Sequence, residues 1–242
     1  MVTQTPVVTL PTAFSLAFAQ LADRRVVWLL VKSILISVVL AVALAAVLVL
    51  ALGWGLGALF GLNLDQPLPY VGEAMVVVLG LLGLVAVWLA WRIVAMAVLQ
   101  FYADDVVALV ESEHYPTLHP RDLPMGEQVR IALGGAMRAL IVNLIALPFA
   151  LLLFFTAIGP AVVFAVVNAV LLGRELQDMV WVRHAAPDAL PPLGRITRFL
   201  LGLSVVGLLS VPFLNLLAPF LGAAAATHLV HRAALRQEAA DA

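Results

Sequence analysis

The chain has 242 residues, of which 64% are hydrophobic and 11% are charged, and its net charge at pH 7 is −1. Soluble domains carry about 25% charged residues, so this composition excludes a water-soluble globular protein. The near-zero net charge gives no indication of nucleic-acid binding, which needs a basic face to neutralise phosphates.

The first predicted element is a short amphipathic helix over residues 11–22. Phe14, Phe18 and Leu21 recur at helical spacing behind Pro11, a residue that is tolerated in the first turn of a helix. A helix of this kind lies along the membrane surface with its apolar side toward lipid. The residues before it have no basic stretch and no small-residue cleavage site, so they do not resemble a signal peptide.

Two long membrane helices are predicted next, over residues 25–59 and 70–112. The sequence carries no charge from Ser33 to Leu64, which is long enough for one membrane span. Between the two helices, prolines and Asp65 form a short loop that ends both of them.

The second long helix leaves the membrane near Leu99 and continues as an amphipathic extension. Apolar side chains recur on one face of this extension: Leu99, Tyr102, Val106 and Val110. Acidic side chains surround that face and are expected in water: Asp104, Asp105, Glu111 and Glu113. An aqueous loop then leads to the next apolar segment.

Two charge-free stretches of about 35 residues follow in the second half of the chain. A spanning helix needs about 20 apolar residues, so each stretch is too long for one span and barely long enough for two. Prolines lie near the middle of each stretch: Pro148 and Pro160, then Pro212 and Pro219. We therefore predict two proline-broken helical hairpins, re-entrant or short-spanning, over 136–177 and 196–230, and a solvated tail over 231–242.

These elements make the predicted fold an all-α integral membrane protein with a single membrane domain over residues 1–242. Every basic residue outside the membrane lies on one side of it: before the first long helix, after the second, between the hairpins or in the tail. Basic loops stay in the cytoplasm, so both termini and the hairpin bases are predicted to be cytoplasmic.

The predicted anion-binding residues are Arg24, Arg25 and Lys32, at the start of the first long helix. Arg25 and Lys32 are seven positions apart and share one helix face. A helix N-terminus offers an anion its free backbone N–H groups and the positive end of its dipole. The alternative is that these cations only anchor the helix at the lipid headgroups, and Asp23 beside them opposes anion binding.

The candidates for a pore-lining or structural role are Arg92, Asn215, Pro212 and Pro219. Arg92 lies inside the second long helix, near enough to its end to reach headgroups or to line a polar path. Two prolines near Asn215 free backbone carbonyls at membrane depth, which is tolerated only inside protein or beside a cavity. Asn143 and Asn168 are expected to form hydrogen bonds across helices instead.

The sequence gives no positive indication of catalysis or of a cofactor. It has no cysteine, which excludes thiolate ligands, and it has none of the common hydrolase, nucleotide-binding or zinc-protease motifs. His228 and His231 have a spacing that suits a metal, but no third ligand is evident and a solvated helix end accounts for both. No metal site, no cofactor and no enzymatic activity are predicted.

The C-terminal segment resembles the signature of a known family of membrane proteins. The matching residues, in chain order, are Pro212, Leu214, Asn215, Pro219, Ala226 and Thr227. An aromatic and acidic stretch after the first hairpin and a basic segment before the second are similar as well. The family is that of the etoposide-induced protein 2.4, whose bacterial members include the CysZ sulfate-uptake proteins.

The resemblance implies two long spanning helices, two V-shaped hairpins that enter the bilayer partially, and a homo-oligomer that encloses a pore. It also implies that sulfate or a related oxyanion binds at the arginines that open the first long helix, here Arg24 and Arg25. Ala22 and Asp23 before them depart from the family's Gly-hydrophobic-Arg motif.

The resulting prediction is an ATP-independent anion permease in the bacterial inner membrane, with sulfate or a related oxyanion and the lipid bilayer as its partners. No nucleic acid is expected among them. A non-transport scaffold or assembly protein of the same family is the alternative.

Overall fold

The computed structural model describes residues 9–60, 71–185, 189–212 and 214–241. Within them every regular element is an α-helix and none is a strand, which confirms the predicted all-α class. The helices of the described residues are α1 (Leu10–Gln20), α2 (Arg24–Phe60), α3 (Val71–His114), α4 (Met125–Leu152), α5 (Gly159–Trp181), α6 (Arg195–Leu209) and α7 (Leu214–Asp241).

Several of these helices are long and apolar enough to cross a membrane. Among the described residues the candidate spans are Arg24–Leu48, Met125–Leu152, Gly159–Trp181 and Leu214–Ala240. A shorter apolar segment, Gly80–Trp91, lies within α3. The chain is therefore a multi-pass membrane protein.

α2 and α3 occupy the positions of the two predicted long helices. Each begins and ends within two residues of its predicted bounds of 25–59 and 70–112. Leucine, valine and alanine dominate both helices and no proline interrupts either, so every backbone group can bond within its own helix. The loop between them, with Asp65, lies outside the described residues.

α4 begins at Met125, well before residue 136, where the first hairpin is predicted to start. Glu127 lies in the first turn of α4, where the helix dipole favours a carboxylate. The Arg121 guanidinium donates two hydrogen bonds to that carboxylate, at 3.0 and 2.7 Å. Part of the predicted aqueous loop is therefore helical, because this ion pair stabilises the helix start.

The four prolines of the hairpins differ in their effect. Pro160 lies in the first turn of α5 and Pro212 in the turn before α7, so both stand at helix boundaries. Pro148 and Pro219 instead lie inside α4 and α7. The turn between α4 and α5 is closed by Thr156, whose Oγ1 accepts a hydrogen bond of 2.9 Å from the backbone N–H that begins α5.

The chain divides into two compact units. The first is Arg24–Tyr102, which we call the α2–α3 unit. The second combines Met1–Asp23 with Ala103–Ala242, and we call it the hairpin unit.

In the α2–α3 unit, one face of α2 is buried. This face consists mainly of small side chains: Val26, Ser33, Ser37, Ala41 and Ala45. The other faces of α2 expose large apolar side chains such as Val39 and Val42. Small residues allow close helix packing within a membrane, and exposed apolar ones suit contact with lipid.

α7 is the core of the hairpin unit. Helices α1, α5 and α6 all pack against it, and every residue from Phe220 to His231 is buried. This buried stretch includes polar side chains, which need hydrogen-bond partners from the surrounding helices. The centre of the unit is therefore also where its polar contacts gather.

α5 and α6 cross at two glycines. A Cβ atom on Gly173 would strike the carbonyl of Arg198, and a Cβ atom on Gly202 would strike the carbonyl of Ala169. Both obstacles are backbone atoms, which have no alternative rotamer. The two helices can therefore approach this closely only because both positions lack a side chain.

α1 packs against α7 through a face that the sequence did not single out. Ala13, Ala17 and Gln20 are its buried residues. Phe18 lies on another side of the helix and is 46% exposed. Small side chains thus form the protein contact, and the phenylalanine that makes the sequence amphipathic is left for lipid.

Candidate functional site

The predicted anion-binding residues lie at the start of α2, in the α2–α3 unit. Arg24 and Arg25 are exposed. Arg24 lines a shallow groove of about 500 Å³ together with Val27, Trp28 and Val31. One cation beside an aromatic and two valines forms a surface that can hold an anion or a lipid headgroup.

Lys32 lies two turns further along α2 and is also exposed. Its Nζ lies 5.6 Å from the centroid of the Tyr102 ring, which is the geometry of a cation–π contact. This contact links the start of α2 to the end of the α2–α3 unit.

The predicted pore or structural residues are not gathered at one place. Pro212 and Asn215 lie at the turn between α6 and α7, and both are exposed. Pro219 is half-buried inside α7. Arg92 falls within α3, and its side chain lies outside the part of the chain that the structure describes.

Within the described residues, Asn143 and Asn168 donate inside their own helices and not across helices, which contradicts the prediction for both. The Asn143 amide donates to the carbonyl of Ala139 at 2.8 Å, and the Asn168 amide donates to the carbonyl of Phe164 at 2.8 Å. Each amide therefore donates to a carbonyl four residues back in its own helix.

A second group of cations lies at the base of the hairpins. It consists of Arg138, Arg174, Arg195 and Arg198, which we call the hairpin-base arginines. Asp178 accepts the two closest contacts, 3.7 Å from Arg138 Nη1 and 3.5 Å from Arg174 Nε. The positive charges of the other three arginines repel that of Arg198. The sequence shows these arginines only as separate basic positions, and the hairpin fold brings them together.

A buried polar network joins α1, α3 and α7 in the hairpin unit. The Gln20 amide donates to His228 Nε2 at 3.0 Å, so Nδ1 of that ring carries the proton and donates to the Tyr115 hydroxyl at 3.0 Å. His228 is fully buried. The prediction that it lies at a solvated helix end is therefore wrong.

Beside this network lies a cluster that we call the Glu111 triad: Glu111, His184 and His231. The Nε2 atoms of both histidines approach the same carboxylate oxygen, Glu111 Oε1, at 2.9 Å from His184 and 2.8 Å from His231. His231 is 3% exposed, so its predicted place in solvent is wrong as well. The prediction that water surrounds Glu111 is also wrong, because this residue is 6% exposed.

The surroundings of these groups change their acidity. Burial works to raise the pKa of Glu111, but the hydrogen bonds and charges of His184 and His231 outweigh it and lower that pKa to about 2. Burial raises the pKa of the Tyr115 hydroxyl, against an opposing contact with Arg232. At neutral pH the triad therefore contains a carboxylate anion, and Tyr115 is a neutral phenol.

The Glu111 triad is the site that sequence reasoning missed. Its members come from α3, from the segment after α5 and from α7, and the hydrogen-bonded pairs are 73 and 120 positions apart in sequence. Helical spacing in the sequence relates His231 only to His228. In the structure His228 instead forms hydrogen bonds with Gln20 and Tyr115. The one available signal was the glutamate beside the apolar face of the extension.

Comparison with known proteins places the chain in a family. The family model described as "Sulfate transporter CysZ/Etoposide-induced protein 2.4" matches residues 13–219. The chain belongs to this family. No curated protein matches it, and no solved structure matches it. Membership in the CysZ/etoposide-induced protein family confirms the resemblance drawn from the C-terminal signature and indicates a transporter-like role in a membrane.

The match to the CysZ/etoposide-induced protein family includes the start of α2 and both hairpins, except for the later part of α7. His228 and His231 thus lie beyond the matched residues, whereas Glu111 and His184 lie within them.

Proposed function

We propose that this protein is an ATP-independent permease for an inorganic oxyanion, with sulfate as the solute, in the bacterial inner membrane. Membership in the CysZ/etoposide-induced protein family over residues 13–219 carries the proposal. The solute crosses unchanged, so the proposal includes no enzymatic step and no cofactor. Nucleic acid has no part in it.

Two cationic surfaces support anion transport. Arg24 and Arg25 open α2 beside the groove that contains Trp28. The hairpin-base arginines form the second surface, where Asp178 pairs with Arg138 and Arg174 and the charges of the arginines repel that of Arg198. A guanidinium presents its donors as a planar fork, which matches the oxygens of a tetrahedral anion.

The length of α6 supports partial entry of the second hairpin. α6 has 15 residues, so it is about 22 Å long at 1.5 Å per residue, against about 30 Å for the hydrocarbon core of a bilayer. The charge-free part of α5, residues 159–173, has the same length of about 22 Å, because Arg174 follows it. We propose that α6 and this part of α5 enter the bilayer without crossing its full thickness, whereas α4 and α7, with 28 residues each, are long enough to cross it.

The orientation and assembly that we propose follow from charge and exposure. In this proposal the hairpin-base arginines lie on the cytoplasmic side, together with Arg232 and Arg236 in the C-terminal part of α7 and with both termini. No residue of α4 is buried. We assign this apolar surface to lipid and to neighbouring copies of the chain in a homo-oligomer that encloses the permeation path.

The test is uptake of radiolabelled sulfate into proteoliposomes that contain the purified protein. We expect the Arg24→Ala/Arg25→Ala variant to lose about tenfold or more of the flux, since a hydrogen bond to a charged group contributes about 1.5–3 kcal/mol. Arg195→Ala/Arg198→Ala is expected to reduce flux as well. Arg130→Ala is the matched control, because this arginine is exposed on α4 and belongs to neither surface.

Unchanged flux in the Arg24→Ala/Arg25→Ala variant would remove the start of α2 from the mechanism. The scaffold alternative is favoured by Asp23, which places a negative charge beside the proposed site. Wild-type protein that carries no oxyanion and instead co-purifies with one fixed protein partner would support the scaffold over the permease.

A further inference from the structure

The Glu111 triad contains the donor atoms of a metal site. Its three possible ligand atoms lie within 4.8 Å of one another. They come from three separate parts of the hairpin unit: α3, the segment after α5, and α7. We propose that the triad binds one divalent transition-metal ion of the Zn²⁺ class, which ties these three parts together.

The spacing of the donor atoms is close to that of a tetrahedral ion. Zn²⁺ binds imidazole nitrogen and carboxylate oxygen at about 2.0–2.2 Å, which places tetrahedral ligand atoms about 3.4 Å apart. The Nε2 atoms of His184 and His231 lie 2.9 and 2.8 Å from Glu111 Oε1. The ion therefore needs each histidine nitrogen to move roughly 0.5 Å away from Glu111 Oε1, which is within the reach of a side-chain adjustment.

The chemistry of the three ligands suits a transition metal better than Mg²⁺ or Ca²⁺. Two imidazoles and one carboxylate are a recurring ligand set for Zn²⁺ and for non-haem Fe²⁺, whereas the harder cations prefer oxygen ligands alone. Both histidines direct a ring nitrogen at one oxygen atom. A cation among the three atoms would replace the two contacts that this oxygen accepts from the histidines.

The environment of the triad holds its ligands in position. The side chains of Glu111, His184 and His231 are 8%, 9% and 3% exposed. The rings of His184 and His231 meet edge to face with their centroids 4.8 Å apart, and the Tyr115 ring lies 4.8 Å from that of His231. Packed rings fix the direction of each donor atom, as supporting groups do around established metal sites.

Neighbouring cations are directed elsewhere. Arg183 precedes His184 but forms an ion pair with Asp104 at 3.3 Å. Glu111 is the acidic member of the triad and would neutralise one of the two charges of the ion. Three protein ligands leave the fourth tetrahedral position to water, and binding requires no other side chain.

The experiment uses the full-length protein without a polyhistidine tag, purified in detergent, stripped with a chelator and then titrated with Zn²⁺. Elemental analysis of the reloaded protein is expected to give about one zinc per chain. We expect the melting temperature to rise by about 5–10 °C at a hundredfold excess of Zn²⁺ over its dissociation constant. Neither measurement requires sulfate transport, so the outcome is independent of the proposed function.

His184→Ala and Glu111→Gln are expected to lose the bound zinc and the rise in melting temperature. Glu111→Gln retains the size of the side chain and a hydrogen-bond acceptor, so it keeps the test valid if His184→Ala fails to fold. His119→Ala is the control, because this exposed histidine contacts only the carbonyl of Thr117 among the hydrogen bonds described. Zinc-free wild-type protein after titration, or equal zinc in Glu111→Gln and wild type, would overturn the proposal.

Discussion

Single buried polar side chains contribute strongly to the stability of the hairpin unit. Gln20, His228 and Tyr115 connect α1, α7 and the end of α3 by two hydrogen bonds of 3.0 Å. Water does not reach the histidine between them, so nothing replaces a partner that is removed. A buried donor or acceptor left without a partner costs about 1–3 kcal/mol.

His228→Ala tests this network. The change leaves the Gln20 amide and the Tyr115 hydroxyl without their shared partner, so we expect a loss of at least about 2 kcal/mol and a melting temperature lower by about 4–8 °C. Thermal unfolding in detergent measures it. Ser112→Ala is the control: this exposed serine donates to the carbonyl of Leu109 within α3, and its loss should leave the melting temperature unchanged. Equal melting temperatures for both variants would contradict the assignment.

The sequence drew attention to His228 only through its spacing from His231 and assigned it to a solvated helix end, and it did not single out Gln20 or Tyr115. The separation of Gln20 from His228 is 208 positions, and helical periodicity relates only residues within a few turns. A histidine near the end of an apolar segment is therefore compatible with solvent or with a core. Only the packing of α1 on α7 decides between the two.

At the scale of helices, the crossing of α5 and α6 leaves no room for larger side chains at its two glycines. Gly202 faces the backbone of Ala169, and Gly173 faces the backbone of Arg198. A larger side chain at either position would push whole helices apart, because a carbonyl group cannot turn away. The arginines that begin α6 would move with it.

Gly202→Ala is expected to lower the melting temperature by about 4–8 °C, equivalent to about 2 kcal/mol for a chain of this size. Gly207→Ala is the matched control in the same helix, since a Cβ atom there meets nothing within 4 Å. Alanine is favoured over glycine inside a helix by about 1 kcal/mol, so the control variant should melt at the same temperature or higher. A Gly202→Ala protein as stable as the control would show that α5 and α6 are farther apart than described.

Helix positions were largely accessible from the sequence, and helix contacts were not. The long apolar segments predicted α2 and α3, because an apolar segment longer than a membrane span has few alternatives to a helix. The early start of α4 was missed because its first turn is polar and depends on the pairing of Arg121 with Glu127. The prolines predicted helix breaks only in part, since Pro148 and Pro219 lie inside helices.

For the whole molecule, the depth of the hairpins is the property that connects fold to transport. The end of α4 and the turn after it are strongly apolar and exposed: Phe149, Leu152, Phe154, Phe155 and Ile158. Phe155 is 93% exposed, which would be unfavourable in water and is favourable in hydrocarbon. The composition of the chain predicted such a lipid-facing surface, but the position of the turn required the structure.

Single-cysteine labelling in intact cells measures this depth directly, since the natural chain has no cysteine. Phe155→Cys and Leu216→Cys are expected to resist membrane-impermeant thiol reagents from the outer face. Asp122→Cys, in the exposed segment before α4, is the control and should react once the cytoplasmic side is opened. Free reaction of Phe155→Cys from both faces would contradict partial entry of the hairpins.

The packing of α1 against α7 has a consequence for how the protein is made. α1 docks on α7, which is synthesised much later, and Arg24–Tyr102 is synthesised between the two parts of the unit to which they belong. The α2–α3 segment can insert while translation continues, but Gln20 obtains its histidine only after α7 emerges. A chain that stalled before α7 would therefore leave the Gln20 amide and the Tyr115 hydroxyl without the buried ring that they share.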